Sequence, residues 1–104
     1  MFIHSVLFEI KPKELRQYRK DSLMWAAYAM KAKGFIAYHT MERLGFKHQY
    51  ASVYEWKTGA DHQRFMHKFH DWLVSKSQAK VKVLGYYNLE SRDRLVSVAA
   101  SRKI

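Results

Sequence analysis

The stretch from Gln49 to Trp72, QYASVYEWKTGADHQRFMHKFHDW, changes its hydrophobic period halfway along, and that change leaves few folds open. Up to Trp56 the residues alternate, with Tyr50, Ser52, Tyr54 and Trp56 on one face and Ala51 and Val53 on the other, as a strand requires. After it, Phe65, Met66, Phe69, Trp72 and Leu73 recur at three- and four-residue steps, the spacing of an amphipathic helix. Between the two, Thr58-Gly-Ala-Asp61 reads as a helix start. Thr58 can accept from the free amides of the first turn, and Asp61 places negative charge where the helix dipole favours it.

The same periods order the rest of the chain. Phe2–Ile10 alternates with apolar groups on both faces, and Lys11-Pro12 ends it at a point where proline suits a first helical turn. A helix is expected from about Lys13 to Lys33, with Leu15, Tyr18, Ser22, Trp25, Ala26 and Ala29 along one stripe. Its later half is apolar around most of its circumference, so it needs cover on more than one side. Gly34 is the expected left-handed stop. Phe35–Leu44 reads as a second strand and Lys80–Glu90 as a fourth, with Gly85 marking a bulge.

The resulting order, β-α-β-β-α-β, is the ferredoxin-like α+β arrangement with an antiparallel sheet, over about residues 1–90. Two helices cover one face of such a sheet. The strands are apolar on both, so a homodimer through the other face is expected. The tail Ser91–Ile104 contains Leu95-Val-Ser-Val98, which could add an edge strand or a dimer arm.

Composition narrows the partners. The chain has 104 residues, enough for one domain with an ordinary core. No apolar run approaches the roughly 20 residues that span a bilayer. MFIHSVLFEI has no basic leader, and the absence of cysteine removes disulfides, thiolate nucleophiles and cysteine metal sites. A cytoplasmic protein without membrane attachment is therefore expected. The formal charge is +10, yet the basic residues run from Lys11 to Lys103 without a block, which favours a solvated basic surface over nucleic-acid binding. There is no glycine-rich phosphate loop and no G-x-S-x-G, which argues against nucleotide cofactors and hydrolase chemistry.

The opening FIHSVLFEIKP, the Gly34-Phe35 start of strand two, and Tyr54-Glu-Trp56 leading into a histidine-bearing helix resemble the dimeric α+β barrel proteins. The resemblance is to the antibiotic-biosynthesis-monooxygenase type, with the stress-responsive barrel proteins as neighbours. It implies sheet-to-sheet dimers, each protomer carrying a pocket between sheet and helices. Its members include cofactor-independent oxygenases of aromatic polyketides, haem-degrading enzymes and polyketide cyclases. Haem-degrading members carry a strand-one asparagine, a tryptophan ending strand three and a helical histidine. Trp56 matches the second, but the chain's one asparagine is Asn88 and His67 lies one residue too far on. Haem, if bound, is therefore expected not to be degraded. Cyclase-like members share His4 and a His-x-x-His pair, here His67 and His70, but HKFH lacks the usual proline.

At about 100° per residue, the helix carrying the three histidines spreads them apart. His62 falls on the buried stripe, His70 on its border and His67 opposite. They do not converge as a metal site, and two ligands are fewer than a stable zinc site takes. Two functions remain. One is a small-molecule enzyme acting on a flat aromatic or polyketide-like substrate without tightly bound cofactor, with His62 as base and Trp56 and Tyr54 lining the cavity. The alternative is a non-catalytic ligand- or haem-binding barrel protein.

Overall fold

A computed structural model describes residues 1–96. The strands are β1 (Phe2–Glu9), β2 (Phe35–Glu42), β3 (Gln49–Trp56) and β4 (Lys82–Glu90), and the helices α1 (Leu15–Ala29) and α2 (Gly59–Lys76). The sheet runs β2-β3-β1-β4 with every neighbour antiparallel, which is the ferredoxin-like α+β order. Both helices lie on one face. Trp56, Leu73, Ala29, Phe65 and Tyr54 form the core between them and the sheet.

The helix starts follow local chemistry. Thr58 Oγ1 accepts from the Asp61 amide at 3.1 Å and donates to the Asp61 carboxylate at 2.9 Å, so cap and first-turn charge hold each other. Pro12 opens a 3₁₀ turn, Pro12–Glu14, rather than an α-helix, and α1 begins only at Leu15. At its far end the bonds shorten to three-residue steps, Lys31 to Tyr28 and Ala32 to Ala29, so α1 stops at Ala29 instead of Lys33. Gly34 then takes φ +83°, the left-handed turn its sequence position predicts.

Three further differences have local causes. Strand β2 ends at Glu42 rather than Leu44, where Gly45 turns the chain at φ +86°. Strand β4 begins at Lys82, not Lys80, because the amides before it are already bound. Asp21 takes those of Gln78 and Ala79 (3.0 and 2.8 Å), and Glu14 takes that of Lys80 (2.8 Å). Trp72, which the helical period places on the buried stripe, is 45% exposed, with its ring 5.1 Å from that of Tyr28 on α1. The expected bulge is present, since the β1–β4 register shifts between Leu7↔Gly85 and Phe8↔Val83.

The second sheet face carries Ile3, Leu7, Ala51, Val53, Met41, Tyr87 and Leu89, and none of the described elements covers it. Leu23 and Met30, on the far side of α1, are exposed as well. Ser91–Val96 forms no regular element, and residues 97–104, including Ser97 and Val98 of the expected edge strand, lie outside the described residues.

The junction of α1, β2 and α2 is set by Gly34, where an added Cβ would run into the Asp61 carboxylate. Gly45 shares the positive φ but has no atom within 4 Å of its Cβ position. Gly34→Ala is therefore expected to cost about 2–4 kcal/mol and Gly45→Ala about 1 kcal/mol, read by denaturant unfolding. Equal costs would show that Asp61 yields freely.

Candidate functional site

The register decides which side chains meet. His4 pairs with Tyr54 and Val6 with Ser52 on β1 and β3, and Tyr38 of β2 faces Tyr54 from the other side. All five point toward the helices, which add Tyr18 and Trp25 from α1 and His62 and Phe65 from α2. Together they enclose a cavity of about 420 Å³. Its deep members, Tyr18, Ser52, Tyr54, Trp56 and His62, are buried, whereas Val74, Val83 and Tyr86 are exposed. The side chain of His70 is 46% exposed. The cavity thus opens between α2 and β4 and closes beneath Trp56.

The closed end holds two imidazoles. His62, in the first turn of α2, is 8% exposed, with its ring centroid 4.3 Å from His4, 5.2 Å from Phe2 and 6.0 Å from Trp56. Burial among these rings, and secondarily the charge of His4, pushes its pKa down to about 4. His4 Nδ1 lies 2.6 Å from Asn88 Oδ1. An amide oxygen only accepts, so Nδ1 carries the proton and Nε2 keeps its lone pair. Burial also lowers the His4 pKa, opposed by the Asn88 bond. Two buried polar atoms here have no partner among the described residues: Trp56 Nε1 and His62 Nε2. Each costs about 1–3 kcal/mol while it stays unpaired.

Farther along the floor is a group of hydroxyls. Tyr38 donates to Ser52 Oγ at 2.8 Å, and the Tyr18 hydroxyl lies 2.6 Å from the same oxygen. Tyr54 stacks on Tyr38 with centroids 4.2 Å apart. Burial pushes the Tyr18 pKa up to about 12 and that of Tyr54 well above its ordinary value, so both stay neutral donors. Asp21 lines the same wall, but its carboxylate is engaged by the Gln17 side chain and the Gln78 and Ala79 amides. Its role is to hold the 77–81 segment over the cavity, together with the Trp25 Nε1 bond to Ser77 Oγ at 2.9 Å.

The three sequence candidates, His62, Trp56 and Tyr54, line one cavity. His70 stands at its rim, and His67 is exposed and does not line it, as the helical period predicts. Among the described residues no group of three or more His, Cys, Asp or Glu is placed to hold a metal ion, and no helix is long and apolar enough to cross a membrane. Sequence reasoning passed over the His4–Asn88 pair and the hydroxyl group. The signal was partly there, because Tyr18 lies on the α1 stripe and Ser52 shares the parity of Tyr54.

No protein-family model matches the sequence, and no curated protein matches it significantly. Solved structures do match. The cofactor-independent oxygenase SnoaB from Streptomyces nogalater is 13% identical, with a TM-score of 0.66, over 92% of this chain and 95% of that one. A candidate antibiotic biosynthesis monooxygenase from Deinococcus radiodurans is 13% identical, with a TM-score of 0.65, over 94% and 99%. MupZ from Pseudomonas fluorescens is 10% identical, with a TM-score of 0.69, over 84% and 69%. At these identities the matches establish a shared fold.

The His62 environment has a consequence for stability. A folded-state pKa of about 4, below the ordinary 6.5, means that the unfolded chain binds the proton first as pH falls. The neutral imidazole's contribution is thus complete above pH 6.5 and is lost progressively down to about 4. The melting temperature is expected to drop between pH 6.5 and 5, and to drop less in His62→Gln. Identical pH profiles for the two proteins would contradict this environment.

Proposed function

We propose that this chain, which has the fold of the antibiotic-biosynthesis-monooxygenase-like structures, is a small-molecule enzyme acting on an aromatic or polyketide-like substrate without tightly bound cofactor. The observation that carries the reading is the closed end of the cavity. There Trp56 Nε1 and His62 Nε2 are buried without partners among the described residues beside a second imidazole, in a space otherwise lined mainly by aromatic and aliphatic groups. SnoaB, described as a cofactor-independent oxygenase, supports the reaction class.

In this reading His62, neutral at physiological pH, accepts the proton of a substrate hydroxyl. The electron-rich anion then reacts with O₂, which the substrate itself reduces. One oxygen atom enters the ring system as a carbonyl, and the other leaves as water. The gap between a pKa of about 4 and an ordinary phenol near 10 is worth roughly 8 kcal/mol, too much for the imidazole alone. The substrate must therefore be a phenol acidified by conjugation to a carbonyl. The low pKa has a return benefit, since His62 readily gives the proton back as water departs. Tyr54 and Trp56 shape the cavity, and the segment above Asp21 helps to exclude solvent.

The residues do not fit haem in the pattern of the degrading enzymes. Asn88 is committed to His4, and His67 lies outside the cavity. His62→Ala is expected to lower turnover of a carbonyl-conjugated phenol at least 100-fold, in line with loss of a general base, and His67→Ala to leave it within twofold. Oxygen consumption with a hydroxyanthrone reads both, and full activity in His62→Ala would refute the assignment.

The uncovered sheet face, with Met41, Tyr87 and Leu89 about half exposed or more, supports assembly as a homodimer through that face. Sedimentation at micromolar concentration is expected to give twice the protomer mass. Tyr87→Lys should shift the species toward monomer, and a compact wild-type monomer would rule this assembly out.

A further inference from the structure

The hydroxyl group on the cavity floor holds one more proton than its internal bonds use. Tyr18, Ser52 and Tyr38 carry three hydroxyl protons, and two contacts join them, both at Ser52 Oγ. Tyr38 donates into that oxygen. In the 2.6 Å contact between Tyr18 and Ser52 either oxygen can be the donor, so the proton left over sits on Tyr18 or on Ser52. With Ser52 as the donor in that contact, the Tyr18 hydroxyl keeps its own proton for a further acceptor. Its side chain lines the cavity and the residue is 7% exposed, so the spare donor lies inside.

We propose that the Tyr38–Ser52–Tyr18 chain is a specificity-determining device that offers one directed hydrogen bond, from Tyr18, to an uncharged oxygen of the ligand at the end of the cavity away from the imidazoles. The inference rests on reading the cavity as a ligand site. Each bond in the chain polarises the next, so the terminal hydroxyl is a better donor than a lone tyrosine. Burial keeps Tyr18 protonated throughout the range in which the protein works. His4 and Ser52 are diagonal neighbours on β1 and β3, which puts their attachment points about 7–8 Å apart. A ligand satisfying both ends carries a hydroxyl at one end of a flat body and a carbonyl at the other. A hydroxyl lodged at the Tyr18 end instead would compete for the same proton economy and gain less.

Two probes that share one ring body test this. 2-Naphthol offers only the hydroxyl, and 6-acetyl-2-naphthol adds a carbonyl at the opposite end. Binding to the full-length protein is followed by quenching of tryptophan fluorescence, since Trp25 and Trp56 line the cavity. The ketone is expected to bind about tenfold more tightly, the effect of one buried neutral hydrogen bond. Tyr18→Phe should bring that ratio close to one without weakening 2-naphthol. Ser52→Ala should lower it about threefold, because Tyr18 keeps its proton but loses its anchor, and Tyr38→Phe should change it less than twofold. A wild-type ratio near one, full discrimination in Tyr18→Phe, or failure of both probes to bind at millimolar concentration would overturn the proposal. Because the readout is binding alone, it separates from catalysis. Discrimination without oxygen uptake would leave this device standing and remove the oxygenase reading, while turnover with no discrimination would do the reverse.

Discussion

The antiparallel register that sets His4 against Tyr54 and Val6 against Ser52 determines which side chains can share the cavity, because a slip of one residue would exchange the two faces of the strand. Every polar group at the site depends on that pairing. The imidazole of His4 meets His62 only when its strand faces the helices, and Ser52 reaches Tyr18 and Tyr38 only from the same side. The register is held by apolar alternation on both faces, so it does not depend on the polar groups it positions. The chemistry can therefore vary while the frame stays.

The interior treats its polar groups in two ways. Asp21 is buried and fully engaged, with one carboxylate oxygen taking two backbone amides and the other a side-chain amide. Asp61 is likewise bound by Thr58 and Arg64. Asp21 thereby joins α1 to the segment before β4, and Asp61 fixes the first turn of α2. Trp56 Nε1 and His62 Nε2, by contrast, are buried without a partner among the described residues. Desolvated donors and acceptors that stay unpaired lower stability, so the cavity end carries a cost that the bound carboxylates do not.

Much of the frame could be read from the sequence. The change of period after Trp56 gave strand and helix, the Thr58 cap and the Gly34 stop were local, and the helical angle separated His62 from His67. What escaped was whatever depends on residues far apart in sequence. Tyr18 and Ser52 are 34 positions apart and His4 and Asn88 are 84 apart, so no periodicity couples them. The late start of β4 escaped for a similar reason, because the carboxylates that occupy its leading amides belong to α1 and the turn before it. Trp72 was misplaced because period alone marks an apolar stripe but not which of its members the rest of the fold covers.

One feature of the topology bears on how the site comes into being. Strand β1 lies inside the sheet, yet one of its two neighbours, β4, follows both helices in the chain. That pairing closes a long loop, so its entropic cost falls late in folding, after the hairpin of β2 and β3 has formed. The bond from Asn88 that orients His4 exists only once β4 has docked. Completion of the sheet and orientation of the His4 ring are thus a single event. A chain in which β4 has not yet docked would keep the aromatic walls of the cavity but lack the fixed His4 ring that lies 4.3 Å from His62.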